Sequence, residues 1–273
     1  MSKEAKIKLD IPLKKPVVFV KVHTTGLDPK KDRIIQISLH KYGTDGSFVS
    51  GTKLINPETH IPEEATAISG ITNEKVDGKP VFSEVGKGLF DFINDCDVIG
   101  FNVKFDLAFL ASEFGRMNLT YSVYNKNVLD LYELYCFHNP RNFLSAVKLY
   151  VNNDVESNDI LGADKYASLS TELFKRLFSE TELSMTDTPL NGLDDIIEKT
   201  TGGKILDIDG WFKLQDGKPV FNKGQHRGVE VSVVLEKNED YFNWLLHKAD
   251  GITQDTKSLI EKMLKKAKKE KIQ

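Results

Sequence analysis

The residues best able to do chemistry fall in two short stretches. Val17 to Pro29 reads Val-Val-Phe-Val-Lys-Val-His-Thr-Thr-Gly-Leu-Asp-Pro, so Lys21 and His23 end an apolar run just before a Thr24-Thr25-Gly26-Leu27 turn. Gly100 to Asp106 reads Gly-Phe-Asn-Val-Lys-Phe-Asp and offers Asn102, Phe105 and Asp106. A lysine cannot ligate a cation while protonated, and its unperturbed pKa is about 10.4. His23 and Asp106 suit a transition metal by ligand type, but two ligands make a poor site. For Lys21 two arrangements are open. It either pairs with Asp106, so that the carboxylate is not buried alone, or points to solvent beside a hydrated Asp106 in an open cleft.

The elements that must position these residues sit in a chain of ordinary globular make-up. It has 273 residues, 40% hydrophobic and 28% charged, enough for one large domain and a small appendage. The net charge of -3 gives no whole-molecule attraction to nucleic acid, so such binding needs a local basic patch. Lys257 to Lys271 is one candidate, and a solvated helix end is the plainer reading of the same run. Met1 to Pro16 is lysine-rich without the apolar core of a signal peptide, and no apolar run is long enough to span a bilayer. A cytoplasmic protein with no membrane partner is the expectation. Cys96 and Cys136 stand far apart without nearby Cys or His, which indicates neither a disulfide framework nor a zinc site.

Val17 to Val22 is a β-branched run, and Arg33 to Tyr42 alternates apolar and polar residues at the period of a half-buried strand. Thr44-Asp45-Gly46-Ser47 turns into a third strand, Phe48 to Ile55. A short helix over Glu63 to Ser69 and a second after Gly70-Ile71-Thr72 precede a helix over Phe82 to Asn94, where apolar residues recur at helical spacing. A strand at Val98 to Phe101, a helix at Asp106 to Arg116 and a strand at Val128 to Asp130 follow. Helices are expected near Leu131 to Cys136, Phe143 to Tyr150 and Ala163 to Phe178. This order predicts an α/β domain with a mixed sheet flanked by helices. Ser179 to Pro189 is polar and reads as a linker. The expected division is a tail over 1–16, a main domain over 17–178, a linker over 179–195, a small C-terminal α+β module over 196–250 and a basic helix or tail over 251–273. The module has turns at Asp216-Gly217, Lys223-Gly224 and Arg227-Gly228, short strands between them, and a helix around Tyr241 to Leu246.

The first stretch resembles the opening motif, Asp-x-Glu-Thr-Thr-Gly-Leu, of the DnaQ-like (DEDDh) 3′ to 5′ exonucleases, the family of the DNA polymerase III epsilon proofreading subunits. Leu54 to Pro57, Ile61 to Ile68 and Gly70-Ile71-Thr72 are similar to the family's next segment, in order. Gly100 to Asp106 resembles the second motif, His-Asn-x-x-Phe-Asp, with Phe101 in place of the histidine. Asp130, after Val128-Leu129, resembles the later Ile-Asp-Thr position with Leu131 where Thr is usual. The third motif, His-x-Ala-x-x-Asp-Ala, is brought into register by Ala163 and Ala167, which puts Leu161 at the histidine and Tyr166 at the aspartate. The likeness spans Val17 to Phe178. More weakly, Gly217 to Leu246 resembles a small module of some bacterial relatives, through Lys223-Gly224-Gln225-His226-Arg227-Gly228 and Tyr241-Phe242-Asn243-Trp244.

The resemblance implies a ribonuclease H-like fold. In that family acidic ligands hold two metals about 3.5 to 4 Å apart, which activate water and stabilise the leaving oxygen. Here Lys21, His23, Leu161 and Tyr166 stand at degenerate positions, and Asp106 is the remaining ligand of four. Two cations packed together need several carboxylates to offset their repulsion. The missing base alone is a step worth about 10²- to 10⁴-fold. The expectation is a pseudoenzyme with no cofactor and no intact catalytic set. Its retained cleft would bind a single-stranded DNA or RNA 3′ end, or a nucleotide, through Thr24, Thr25, Gly26, Leu27, Asn102 and Phe105, and its partner could be a polymerase or another DNA-processing protein. Thr24 to Leu27 reads equally well as a structural turn. Tyr166 and Leu161 either fill the space of a vanished cluster, with the Tyr166 hydroxyl bonded to Asp106, or Tyr166 stacks a base. The competing expectation is an active 3′ to 5′ exonuclease using Mg or Mn at an altered site, with a ligand from Asp159 or Asp164.

Overall fold

A computed structural model describes residues 9, 11–138, 163–180 and 192–270. Four valines make β1 (Val17–Thr24) a strand that buries both faces. It pairs antiparallel with β2 (Ile34–Tyr42) and parallel with β4 (Asp97–Gly100). β3 (Phe48–Leu54) lies antiparallel on the outer side of β2, and β5 (Val128–Asp130) parallel on the outer side of β4. The order β3-β2-β1-β4-β5 is the expected mixed sheet.

The period of two along β1 divides the interior. Val18, Val20 and Val22 join one core with Leu107, Phe109 and Phe114, while Val17 and Phe19 join another with Leu129 and Phe174. The first core is covered by α3 (Phe82–Ile93) and α4 (Val103–Arg116), and the second by α5 (Leu131–His138), α6 (Ala163–Glu180) and α7 (Leu193–Thr201). Two short helices, α1 (Glu63–Ser69) and α2 (Asn73–Val76), bridge the strand layer to α3.

α4 starts at Val103, three residues ahead of the expected Asp106, and β4 stops at Gly100 rather than Phe101. The cause is Asp130, whose carboxylate accepts the Asn102 N–H at 2.9 Å and the Val103 N–H at 3.1 Å. That satisfies the free amides of the first turn. Asn102 takes a left-handed conformation, φ 53°, to make the corner.

Beyond the sheet, β6 (Lys204–Ile205), β7 (Phe212–Gln215) and β8 (Lys218–Phe221) form a second, antiparallel sheet. α8 (Val231–Lys237), α9 (Glu239–His247) and α10 (Gln254–Glu270) pack on it around Phe212, Phe221, Phe242, Leu259 and Ile260. The basic C-terminal segment is therefore a helix with an apolar face in this core. α7 runs across the expected boundary between residues 195 and 196, and Ile205 and Ile208 belong to the core beneath β1. Leu9 and Ile11, from the segment expected as a tail, are buried with Leu193 and Ile196. The helix expected at Phe143 to Tyr150, residues 181–189 of the linker, Asp159 and Leu161 lie outside the described residues. Among those described, no helix is long and apolar enough to cross a membrane.

Candidate functional site

Lys21 and His23 follow Val17 and Phe19 on the same face of β1, near its C-terminal end. The Lys21 ammonium lies 3.2 Å from Asp106 Oδ2, and the Val22 N–H donates to Asp106 Oδ1 at 2.7 Å. Both carboxylate oxygens are thus engaged, and Asp106 is fully buried while the lysine side chain keeps 17% exposure. The pairing of Lys21 with Asp106 is the arrangement found, rather than a solvent-directed lysine. Burial pushes the Asp106 carboxyl above the ordinary carboxylate range, opposed first by the Lys21 ammonium and then by the Val22 N–H. The lysine also sits 5.9 Å from the centre of the Phe105 ring, at the edge of cation–π range.

His23 is buried and meets the Tyr166 ring edge to face at 5.8 Å. α6 brings Tyr166 there because Ala163 and Ala167 are completely buried and their small side chains let the helix lie close to the strands. The Ala163 N–H donates to Gln36 Oε1 on β2 at 2.8 Å, which fixes where that helix begins. An aromatic pair thus occupies the ground between β1 and α6.

After β1 the pairing with β2 slips between His23 and Thr24, and the chain turns. Thr24 Oγ1 donates to the Gly26 carbonyl at 2.6 Å, and the Thr25 N–H to the Arg33 carbonyl at 2.9 Å. The Asp32 carboxylate accepts from Thr25 Oγ1 and from the Asp28 N–H, gathering the turn around itself. A Cβ on Gly26 would lie 2.5 Å from Asp32 Oδ2, so the turn needs glycine here for close approach. Leu27 is left 82% exposed.

These residues converge on one cleft of about 600 Å³, lined by Lys21 through Leu27, Phe101, Asn102, Phe105 and Tyr166. Every expected binding residue, Thr24, Thr25, Gly26, Leu27, Asn102 and Phe105, lines it. Asp106 lies beneath its floor, and Leu161 is outside the described residues. Sequence reasoning did not assign the opposite wall, Pro62, Glu64, Ala65, Ile68 and Ser69, to the site, although the Ile61 to Ile68 resemblance pointed to that segment. It also missed the brace that holds the turn. Buried Glu113 on α4 accepts from Arg33 Nε at 2.9 Å and the Ile34 N–H at 3.1 Å, and Arg116 reaches the carbonyls of Pro29, Lys30 and Asp32.

Asp130 does not line the cleft. Its carboxylate accepts the Asn102, Val103 and Tyr132 N–H groups and so joins α4 to α5. Burial, and then nearby Glu133, raise its pKa to about 6.

A pair of divalent cations needs oxygen ligands free to point at it. Among the described residues no three His, Cys, Asp or Glu side chains converge on one point. Beneath the floor of the cleft the Asp106 carboxylate is turned to an ammonium and a backbone amide. The residues described do not fit a two-metal cluster.

A mixed sheet with helices on both faces, and a cleft at the C-terminal ends of its parallel strands, is the ribonuclease H-like exonuclease fold. An exonuclease family model matches residues 22–157. DNA polymerase III subunit epsilon of Rickettsia typhi is 30% identical over 183 residues, covering 63% of this chain and 79% of that protein. The 3′-5′ exonuclease DinG of Staphylococcus epidermidis is 28% identical over 172 residues, 62% of this chain but 19% of that one. The solved structure of E. coli exonuclease I in complex with a dA16 oligonucleotide superposes with a TM-score of 0.53 at 17% identity, over 62% of this chain and 42% of that one. The chain belongs to the DnaQ-like exonuclease family. It spans most of the epsilon subunit and less than half of the larger exonucleases.

Proposed function

We propose that this protein is a DnaQ-like fold that has given up two-metal hydrolysis and kept its cleft for the 3′ end of a single strand, in the cytoplasm. The observation that carries this reading is the Lys21–Asp106 ion pair, where the family resemblance puts a metal ligand pair. One internal cation does permanently what bound metals do for a carboxylate cluster, which is to offset its charge. Binding by such a cleft has no need of a divalent ion.

The walls support the same reading. Phe101, Phe105 and Tyr166 offer aromatic faces, which accept bases without sequence preference. Leu27 and Ile68, 82% and 66% exposed, stand at the rim as apolar surfaces that a terminal base would cover. The backbone of the Thr24 to Leu27 turn is braced by Asp32, Arg33, Glu113 and Arg116, so it presents its amides in a fixed shape. The relatives that are polymerase subunits make a polymerase or another DNA-processing protein the partner we infer for the outer surface.

The test is the affinity of the full chain for a short 3′-recessed or single-stranded oligonucleotide, in Mg²⁺ and in EDTA. Equal affinity in both, weakened by Leu27→Ala and by salt, is expected. Binding that needs the metal would overturn the reading.

A further inference from the structure

At the other end of β1 lies a second cavity of about 620 Å³. Its walls come from the segment just before β1 (Lys14, Lys15), the loop before β4 (Asp95), the loop before β5 (Tyr124, Lys126) and α10 (Lys262). Eight strand residues at about 3.3 Å each put it roughly 25 Å from the cleft. The two sites are at opposite ends of the central strand and cannot share one nucleotide.

Among the described residues, Lys15, Lys126 and Lys262 are not held in direct ion pairs as Lys21 is. Lys126 is only 7% exposed, yet its Nζ donates to a carbonyl, that of Ser122, at 2.5 Å, and lies 4.7 Å from the centre of the Tyr121 ring. Among the described residues no carboxylate comes within ion-pair distance of it. Lys15 likewise donates to the Asn125 carbonyl, and of the lysines lining this cavity Lys14 alone, among the described residues, has a carboxylate within ion-pair distance, Asp194 at 2.8 Å. A carbonyl satisfies a hydrogen bond but does not cancel a charge. Burying an ammonium with no carboxylate in direct contact is costly, and an arriving anion offsets that cost. Burial lowers the Lys126 pKa, opposed by the Asp255 and Asp95 carboxylates, which act on it from beyond ion-pair distance, and assisted by the neighbouring Lys15 ammonium. Tyr124 stands among these lysines 42% exposed, with Lys262 Nζ 5.9 Å from the centre of its ring.

We propose that this cavity is a nucleotide-phosphate site, in which Lys15, Lys126 and Lys262 take the phosphates and the Tyr124 ring takes the base. The volume lies within the range of small-molecule sites, about 300 to 1,000 Å³. Several converging cations call for an anion of more than one charge, and the exposed aromatic beside them separates a nucleotide from a bare oxyanion. Phosphates of this kind are carried by a free nucleoside triphosphate or by a nucleic-acid chain.

Calorimetric titration of the full chain with inorganic triphosphate, ATP and a short oligo(dT) tests the site. Lys262 and Tyr124 are exposed, so Lys262→Glu and Tyr124→Ala leave the core untouched, and an unchanged melting temperature verifies it. Triphosphate and ATP are expected to bind, each weakened about tenfold by Lys262→Glu, with Tyr124→Ala weakening ATP alone. If oligo(dT) alone binds, with the same dependence on Lys262 and Tyr124, the site holds and its phosphates belong to a nucleic-acid chain. The proposal is overturned if no probe shows binding that depends on Lys262.

Discussion

The two ends of β1 hold lysines among buried groups and treat them in opposite ways. At the cleft, Lys21 meets a fully buried carboxylate and the charges cancel inside the protein. At the far end, Lys126 is more deeply buried than Lys21 but faces a carbonyl and an aromatic ring. One residue type thus gives a closed electrostatic unit in one place and an unfinished one in the other. What decides is the partner. A cleft whose charge is already balanced attracts its ligand mainly through shape, aromatic faces and backbone amides, whereas an unbalanced pocket attracts mainly through charge and weakens more steeply with salt.

The sharpest way to break this contrast is to remove the partner at the cleft. Asp106→Ala leaves the Lys21 ammonium without its counter-charge and is expected to cost about 3 to 5 kcal/mol in urea unfolding. Lys21→Met combined with Asp106→Leu should recover much of that loss, since two apolar groups leave no charge exposed to the interior. A loss below about 1 kcal/mol for Asp106→Ala would mean that the pair is not closed. Lys126→Met is the counterpart, and it should cost less than Asp106→Ala, because the Asp255 and Asp95 carboxylates act on Lys126 only from beyond ion-pair distance.

A smaller effect is expected at the turn. Gly26→Ala forces Asp32 away from Thr25 and Asp28, at a cost of about 1 to 3 kcal/mol. It should also weaken oligonucleotide binding without touching Lys21, and a variant that binds normally would remove the turn from the binding surface.

The smallest effect is a pH dependence at Asp130. Its folded pKa, about 6, lies above its unfolded value, so between that value and pH 6 the folded state holds a proton that the unfolded state has lost. The stability this group contributes is therefore greatest at acid pH and declines as pH rises through that window. A carboxyl carbon titration by NMR should place its midpoint near 6, and a midpoint below the ordinary aspartate value would show that the three backbone N–H donors outweigh burial.

What could be read in the sequence was local. Lys21, His23 and the Thr-Thr-Gly-Leu turn are contiguous, Asn102 to Asp106 spans one helical turn, and their meeting followed from the family resemblance. The long-range partners were illegible, because nothing in Arg33 or Glu113 signals that residues 80 apart will meet. Asp130 was legible as a motif position but not as a cap, and so the start of α4 was placed late. α8 went unseen because Val231, Val233 and Val234 are β-branched. Burial of Val231, Val234 and Leu235, spaced three and four apart, decides for a helix. α7 was hidden in the same manner. Its apolar residues Leu193, Ile196 and Ile197 follow directly on the polar linker and drew the boundary too far into the chain.

The central claim is that the cleft holds a single strand and does not cut it. The direct measurement is the shortening of end-labelled single-stranded DNA and RNA by the full chain in Mg²⁺ and in Mn²⁺, beside the variant Lys21→Asp, His23→Glu, Leu161→His, Tyr166→Asp. The account predicts intact substrate with the unmodified chain and shortening only when the acidic set and the base are restored. Shortening by the unmodified chain that Asp106→Ala abolishes would contradict it.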